Sequence, residues 1–115
     1  MSHTPLEPEF LDTIFSALGH TKRRAMVLQL GFNPATVKKL ADEYKVSLPA
    51  MHKHIRMLEE ASLIQRKKVG RTNFVAINRT GILAAQNWLG MFHAHWGTNE
   101  ETLENYIEHL SQDPK

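Results

Sequence analysis

Long hydrogen-bonding side chains lie on one side of a predicted helix that spans residues 48–61. A helical wheel at about 100° per residue places His52, Lys53 and Arg56 opposite the apolar stripe of this helix. Imidazole, ammonium and guanidinium groups donate hydrogen bonds, and cations neutralise phosphates, which is the chemistry needed to contact a nucleic acid. This outer face therefore predicts a helix that binds in the major groove of double-stranded DNA.

The start of the same helix fits this role. Ser47 is a good N-cap for a helix beginning at Leu48, and Pro49 suits the first turn, where a missing N–H costs nothing. Because free N–H groups at a helix start can hold a phosphate, Ser47 is predicted to be both a cap and a phosphate ligand. His54 lies on the margin of the apolar stripe. We expect it to pack or to make a structural hydrogen bond, and a contact to the DNA backbone is the alternative.

A second basic cluster follows on a predicted hairpin over residues 64–78. The segments IQRKKV and TNFVAIN read as two strands joined by Gly70-Arg71, in which Gly70 supplies the positive φ of a type II′ turn. The basic residues around this turn are Arg66, Lys67, Lys68 and Arg71. Basic hairpin tips lie against phosphates or enter the minor groove. The alternative is a charged hairpin that only resists edge pairing, and the adjacent basic helix favours DNA.

The charge of the chain is concentrated in its middle. The net charge is only +2, but the segment from His20 to Arg71 contains twelve lysines and arginines against four acidic residues, a net charge of +8. Residues 1–19 and 72–115 each carry −3. A basic middle between acidic flanks predicts one surface that meets a polyanion and other surfaces that do not.

The composition excludes several classes of site. The sequence has no cysteine, which excludes disulfides, thiolate nucleophiles and sulfur-ligated zinc. It contains no glycine-rich phosphate loop, nucleophile elbow or paired-carboxylate site, so we do not expect an enzyme. An acidic start and the lack of a long apolar segment predict a cytoplasmic chain, folded as a single domain over residues 1–115.

Three predicted helices precede the 48–61 helix. The first lies within residues 1–20 and ends at Gly19; the second is capped by Thr21 and closed by Gly31. The inward residues predicted for the second helix are Ala25, Met26, Leu28 and Leu30. After a break at Asn33-Pro34, the third turns one face inward, formed by Val37, Leu40, Ala41 and Tyr44. The fourth turns inward Met51, Ile55 and Leu58. A short turn between two short amphipathic helices predicts a helix-turn-helix within residues 21–78.

Two further helices are predicted over residues 79–110. The first, capped by Thr80 or Asn78, carries a 3-4-3-4 apolar seam of the kind that usually meets another helix: Ile82, Ala85, Leu89, Phe92 and Trp96. Gly97 ends it, and Thr98 or Asn99 caps the last helix. The apolar face of that helix is Leu103, Tyr106, Ile107 and Leu110. The resulting fold class is mainly helical with a small β-hairpin.

The whole pattern, from Leu11 to about Leu110, resembles the ArsR-type winged helix-turn-helix repressors. The resemblance rests on ALGHTKRRAMVLQL, VKKLADEYKVSLPAMHKHIRMLEEASLI and GRTNFVAIN. Two residues depart from the usual pattern of the family. His52 replaces a frequent serine, which affects the operator contacts, and Ser62 replaces a glycine, which affects the end of the helix.

The resemblance implies a regulator that binds a palindromic operator as a homodimer and blocks a promoter. The predicted DNA contacts are Thr36, Lys38, Ser47, Pro49, Ala50, His52, Lys53, His54, Arg56, Lys67, Lys68 and Arg71. Family members pair through the first helix and the helix after the hairpin, with half-sites about one helical turn apart or a multiple of it. The residues predicted near the dimer interface are Phe10, Ile14, Leu89, Phe92 and Trp96. The alternative is that some of these side chains fill the core of one chain.

Metal sensing, which is common among such regulators, is not favoured by the sequence. The third helix, VKKLADEYK, has no cysteine, and His93 and His95 are two residues apart, about 200° around a helix. The tail WLGMFHAHWGTNEETLENYIEHL resembles a metal-free branch of the family, so no metal or cofactor is predicted. A small hydrophobic effector among Trp88, Phe92, Trp96 and Tyr106 stays open, although such stripes are more often core. A winged helix that binds protein or RNA is a further alternative.

Overall fold

The computed structural model of the chain describes residues 7–96 and 99–112, without the side chains of residues 93–96, 99 and 112. Its elements, in chain order, are α1 (Pro8–Leu18), α2 (Thr21–Phe32), β1 (Ala35–Thr36), α3 (Val37–Tyr44), α4 (Leu48–Glu60), β2 (Ile64–Val69), β3 (Thr72–Ile77), α5 (Arg79–Trp96) and α6 (Asn99–Gln112). The predicted mainly helical class with a β-hairpin is confirmed. The sequence predicted a single domain, and the structure divides after Ala85 into two compact units.

The predicted apolar faces of α3 and α4 are confirmed in the core of the first unit. Val37, Leu40 and Ala41 of α3 are buried there, together with Met51, Ile55 and Leu58 of α4. Other buried residues come from the neighbouring elements, among them Phe10, Ile14, Ala17, Met26, Val27, Leu30, Leu63 and Val75. A single apolar core thus fixes the position of α4 against α1, α2, α3 and the sheet.

The prediction for α2 is wrong in one respect. Leu28, predicted to face inward, is 68% exposed, whereas Val27 is buried. The inward face follows i, i+3, i+4 and i+7 from Arg23 through Met26 and Val27 to Leu30. Because Arg23 is a charged residue at a buried position, the inward face of α2 does not stand out as an apolar pattern in the sequence. The N-cap also differs from the prediction, since His20, not Thr21, accepts a hydrogen bond from the Lys22 N–H at 3.1 Å.

The turn between α3 and α4 is built from local hydrogen bonds. Thr36 caps α3 by accepting from the Lys39 N–H at 3.1 Å, and Ser47 caps α4 by accepting from the Ala50 N–H at 3.2 Å. Between them Lys45 adopts a left-handed conformation with φ 55°, while the Val46 N–H donates to the Ala41 carbonyl at 3.1 Å. This C-terminal motif ends α3 and starts α4 within three residues, which confirms the helix-turn-helix.

The hairpin is confirmed, and it is part of a larger sheet. Val69 pairs with Thr72, so Gly70 and Arg71 form a two-residue turn, and Gly70 has φ 64°. The strand order is β1-β3-β2, with all pairs antiparallel. Strand β1 was not predicted, because a strand of two residues shows no alternation. Through β1 the hairpin is joined to the start of α3.

The junction from α4 to α5 is closely packed. Ser62, at a position where the resemblance implies a glycine, has φ 54°, and the Leu63 N–H donates to the Leu58 carbonyl at 3.0 Å. The prediction that Ser62 bears on the end of the helix is therefore confirmed. Asn78 caps the start of α5 by accepting from the Thr80 N–H at 3.0 Å. The Gly81 N–H then donates to the Ser62 carbonyl at 2.8 Å.

Most of the described apolar side chains of the second unit are exposed. Leu89 and Phe92 on α5 are exposed, and the Trp88 and Phe92 rings meet edge to face with centroids 4.8 Å apart. The apolar residues of α6 are each more than half exposed, namely Leu103, Tyr106, Ile107 and Leu110. Gly97 and Thr98 lie outside the described residues, as do the side chains of His93, His95 and Trp96. Among the described helices, none is long and apolar enough to span a bilayer.

Candidate nucleic-acid interface

Seven of the twelve predicted contact residues lie on α4 or at its N-cap. Lys53 and Arg56 are exposed on the outer face of α4, and His52 and His54 are partly buried beside them. Ser47 and Pro49 are exposed at the start of this helix, and Ala50 is half-buried. The N-cap role predicted for Ser47 is confirmed, because its hydroxyl accepts from the Ala50 N–H.

A cleft between α3, α4 and the hairpin collects several predicted residues that are far apart in the sequence. It has a volume of about 320 Å³ and is lined by Thr36, Val37, Lys38, Leu48, His52, Arg71, Thr72 and Asn73. Lys38 and Arg71 are exposed, so two cations border this opening. Lys67 and Lys68 are exposed farther along β2. The cleft therefore connects the α4 face with the basic hairpin.

Arg66 differs from its basic neighbours on the hairpin. Its Nη2 donates to Glu59 Oε1 at 2.8 Å, and its Nη1 lies 3.2 Å from His52 Nδ1. Arg66 thus connects β2 with α4. The sequence had predicted that it is one of the basic residues around the hairpin turn. Sequence patterns gave no signal for this link, because the partners are seven and fourteen residues away on another element.

A second arginine holds α4 from its other side. Arg23 is only 8% exposed, and its Nε donates to the Ala17 carbonyl at 2.7 Å. Its Nη1 lies 3.3 Å from His54 Nδ1, and the ring of His54 meets that of His20 with centroids 5.0 Å apart. The guanidinium therefore binds the carbonyl end of α1 and the side chain of α4 together. The structural hydrogen bond predicted for His54 is confirmed.

The surroundings of His54 favour its neutral form. Burial lowers the pKa of this imidazole, and the positive charges of His20, Arg23, Lys22 and Lys53 lower it further. Because a guanidinium only donates, the neutral ring accepts from Arg23 at Nδ1, and a protonated ring would turn a second donor toward it.

The pH dependence of stability follows from this lowered pKa. The unfolded chain takes up the His54 proton near the ordinary value of 6.5, and the folded chain does so only at lower pH. The stabilisation is therefore present above the ordinary pKa and is lost as pH falls through the lowered folded pKa. We expect the free energy of unfolding, measured by urea titration from about pH 7.5 to pH 5, to fall less in His54→Asn than in the native chain. Asparagine supplies an acceptor in the place of Nδ1 but does not titrate. Equal pH slopes for both proteins would contradict this role of His54.

The predicted interface residues divide into two groups. Phe10 and Ile14, 4% and 0% exposed, lie in the core of the single chain, so the structure supports the core alternative for them. Leu89 and Phe92 are exposed on α5. Trp96 is the last residue of α5, and its side chain lies outside the described residues.

Comparisons with known proteins agree with the winged helix-turn-helix fold. Residues 18–66 match the model of a helix-turn-helix domain. The chain is 32% identical over 81 residues to the HTH-type transcriptional regulator Rv2034 of Mycobacterium tuberculosis, covering 70% of this chain and 76% of the relative. It is 23% identical over 79 residues to the transcriptional repressor SdpR of Bacillus subtilis, covering 69% and 88%. The crystal structure of an ArsR family transcriptional regulator matches with a TM-score of 0.74 and 35% identity, covering 86% of this chain and 99% of that one.

Proposed function

We propose a function for this chain from one premise: it belongs to the ArsR family of transcriptional regulators, which bind DNA with a winged helix-turn-helix. The finer proposal is that it binds a palindromic operator in double-stranded DNA as a homodimer and represses transcription by occupying a promoter. The observation that carries this proposal is a cleft lined by Lys38 of α3 and Arg71 of the hairpin, together with the exposed cations Lys53 and Arg56 on α4.

We propose that α4 enters the major groove and that the hairpin lies on the adjacent backbone. Lys53 and Arg56 are long, exposed and on one face of α4, which suits contact with base edges and phosphates. Lys67, Lys68 and Arg71 are exposed on the hairpin, where they would bind phosphates and raise affinity for any sequence. Thr36 and Lys38 border the cleft between these two surfaces and would contact the intervening backbone.

The apolar surface of the second unit supports the homodimer. In α6, residues 100–111 are all exposed, including the apolar face defined by Leu103, Tyr106, Ile107 and Leu110. A 14-residue helix is only marginally stable in water unless an apolar face is packed. A second copy of the chain supplies the same apolar surface, so a two-fold pair would bury both faces. We therefore place Leu89 and Phe92 of α5 and the apolar face of α6 in the dimer interface. Phe10 and Ile14 are left out because the core already buries them.

Repression, as the mode of regulation, is supported by the similarity to a repressor. SdpR is a transcriptional repressor by name, and its similarity covers 69% of this chain. A dimer that covers a promoter needs no contact with other components of the transcription machinery. The surface proposed above would bind DNA, and occupancy alone would be sufficient to block transcription.

The proposal is tested by fluorescence anisotropy with the DNA upstream of the chain's own gene, at several salt concentrations. We expect specific binding that weakens steeply as salt rises, since bound lysines and arginines release counterions. Arg56→Ala should weaken binding to the operator by about 1–3 kcal/mol and change binding to unrelated DNA much less. An equal loss on both DNAs would assign Arg56 to the backbone. Binding that is absent, or insensitive to salt, would refute the proposed function.

A further inference from the structure

His52 is held at one ring nitrogen and open at the other. Arg66 Nη1 lies 3.2 Å from His52 Nδ1, while Arg66 Nη2 is fixed at 2.8 Å from Glu59 Oε1. Glu59 follows His52 by seven residues, two helical turns, so the two side chains share one side of α4. Both ends of the guanidinium are therefore engaged by the same helix, which fixes its position beside the imidazole.

This geometry determines the tautomer of the neutral imidazole. A guanidinium has five N–H donors and no acceptor, so the nitrogen that faces it must have a free lone pair. In neutral histidine only one ring nitrogen carries hydrogen. The hydrogen bond from Arg66 to Nδ1 therefore places the proton of His52 on Nε2.

The protonated nitrogen lies at the surface. Over residues 7–96 and 99–112, His52 Nε2 has no hydrogen-bond partner, and no buried side-chain nitrogen or oxygen lacks one. Nε2 is therefore accessible to solvent. His52 also lines the cleft that Lys38 and Arg71 border, next to the exposed Lys53. The free N–H belongs to the surface that we propose to face DNA.

We infer that His52 selects against cytosine at one position of each half-site, by donating from Nε2–H to a purine N7, to the O6 of guanine or to the O4 of thymine, and that Arg66 is the positioning residue that fixes this tautomer. The inference rests on the proposed function. Purine N7, guanine O6 and thymine O4 are acceptors in the major groove, whereas the amino group of cytosine is a donor. A histidine restricted to donating at Nε2 cannot pair with that amino group. Arg66 thus converts a side chain with two hydrogen-bonding modes into one that rejects cytosine.

The tautomer is tested first, on the free protein and without DNA. Long-range ¹H–¹⁵N NMR spectra distinguish protonated from unprotonated ring nitrogens, and His52→Asn assigns the signals. We expect His52 of the native chain to carry its proton on Nε2 and Arg66→Met to populate both tautomers. The control Lys67→Met removes the same charge from the next residue of β2 and should leave the His52 signals unchanged. A native His52 protonated on Nδ1 would overturn the inference, whether or not the protein binds DNA.

Base selection is tested on the operator identified by anisotropy, with each base of a half-site exchanged in turn for cytosine. We expect one symmetry-related position at which the exchange weakens native binding by about 2- to 10-fold per half-site, the range for a single hydrogen bond. His52→Ala should lose this penalty, and Arg66→Met should lose most of it. Lys67→Met should keep the penalty while binding all DNA more weakly.

The outcomes separate the two claims. If the native protein forms a specific complex in which no position depends on His52, then His52 contacts only the backbone, and the reading role is overturned while the proposed function stands. If the native protein binds no DNA, the proposed function and the reading role both fail. If Lys67→Met loses the penalty as Arg66→Met does, the effect belongs to charge and the positioning role of Arg66 is overturned.

Discussion

Ile107→Asp in α6 is expected to convert the dimer into a monomer and to reduce affinity for the operator by about 10²- to 10⁴-fold. Ile107 is 53% exposed in the single chain and lies on the apolar face of α6 that we place in the interface. In the dimer this position would bury an aspartate with no partner, and burial of an unpaired carboxylate is strongly unfavourable. The loss at the operator is large because two linked α4 helices bind with high effective concentration, whereas separate chains bind one half-site each.

The matched control is Asn105→Asp, two residues away on the same helix. It adds the same charge, but a wheel at about 100° per residue places it opposite the apolar face. This variant should remain dimeric and bind the operator like the native protein. Sedimentation equilibrium measures the mass, and anisotropy measures the affinity. An Ile107→Asp protein that stays dimeric and binds normally would contradict the proposed interface.

The helix-turn-helix could be predicted because its determinants are local. The stripe Met51, Ile55 and Leu58 repeats at helical spacing, and the N-cap residue Ser47 directly precedes its helix. The tip of the hairpin was equally evident from Gly70, since a two-residue turn requires a positive φ there. In each case the residues that determine the structure lie within a few positions of one another. Helical periodicity and turn chemistry are therefore sufficient to predict these elements.

The arginine contacts could not be predicted because they connect distant parts of the chain. Arg23 and His54 are 31 residues apart, and Arg66 and His52 are 14 apart on different elements. A basic residue in a basic segment has the same local signature whether it binds solvent, a phosphate or a histidine. In α2 the apolar pattern was misleading. A core-facing position of this helix is occupied by Arg23, which is buried, whereas Leu28, which was predicted to face inward, is exposed.

The same limit applies to the predicted interface. Phe10 and Ile14 have the spacing of an apolar helical stripe, as the exposed residues Leu103 and Ile107 of α6 do. The spacing predicts that an apolar stripe is buried, but it does not show whether the stripe packs against the same chain or against another. In the structure the α1 residues are buried, whereas the apolar residues of α6 are exposed.

Gly81→Ala is expected to lower the free energy of unfolding by about 2–3 kcal/mol, the upper part of the range for overpacking. A Cβ at this position would overlap the carbonyl oxygen of Ala61 and lie 2.8 Å from that of Ser62. Both are backbone atoms at the end of α4, so they cannot move aside as a flexible side chain would. The Gly81 N–H also donates to the Ser62 carbonyl at 2.8 Å, and a shift of α5 that relieves the overlap would stretch this hydrogen bond.

A matched substitution in α2 separates this packing effect from helix propensity. At Gly31 an added Cβ meets no atom within 4 Å, so Gly31→Ala should raise the free energy of unfolding by about 0.4–1 kcal/mol. Urea titrations at one fixed protein concentration measure both variants, since a dimer gains stability with concentration. If Gly81→Ala were as stable as Gly31→Ala, the close approach of α5 to the end of α4 would be refuted. Opposite signs would show that the backbone of α4, which carries His52 and Arg56, is held from its C-terminal end by the start of α5.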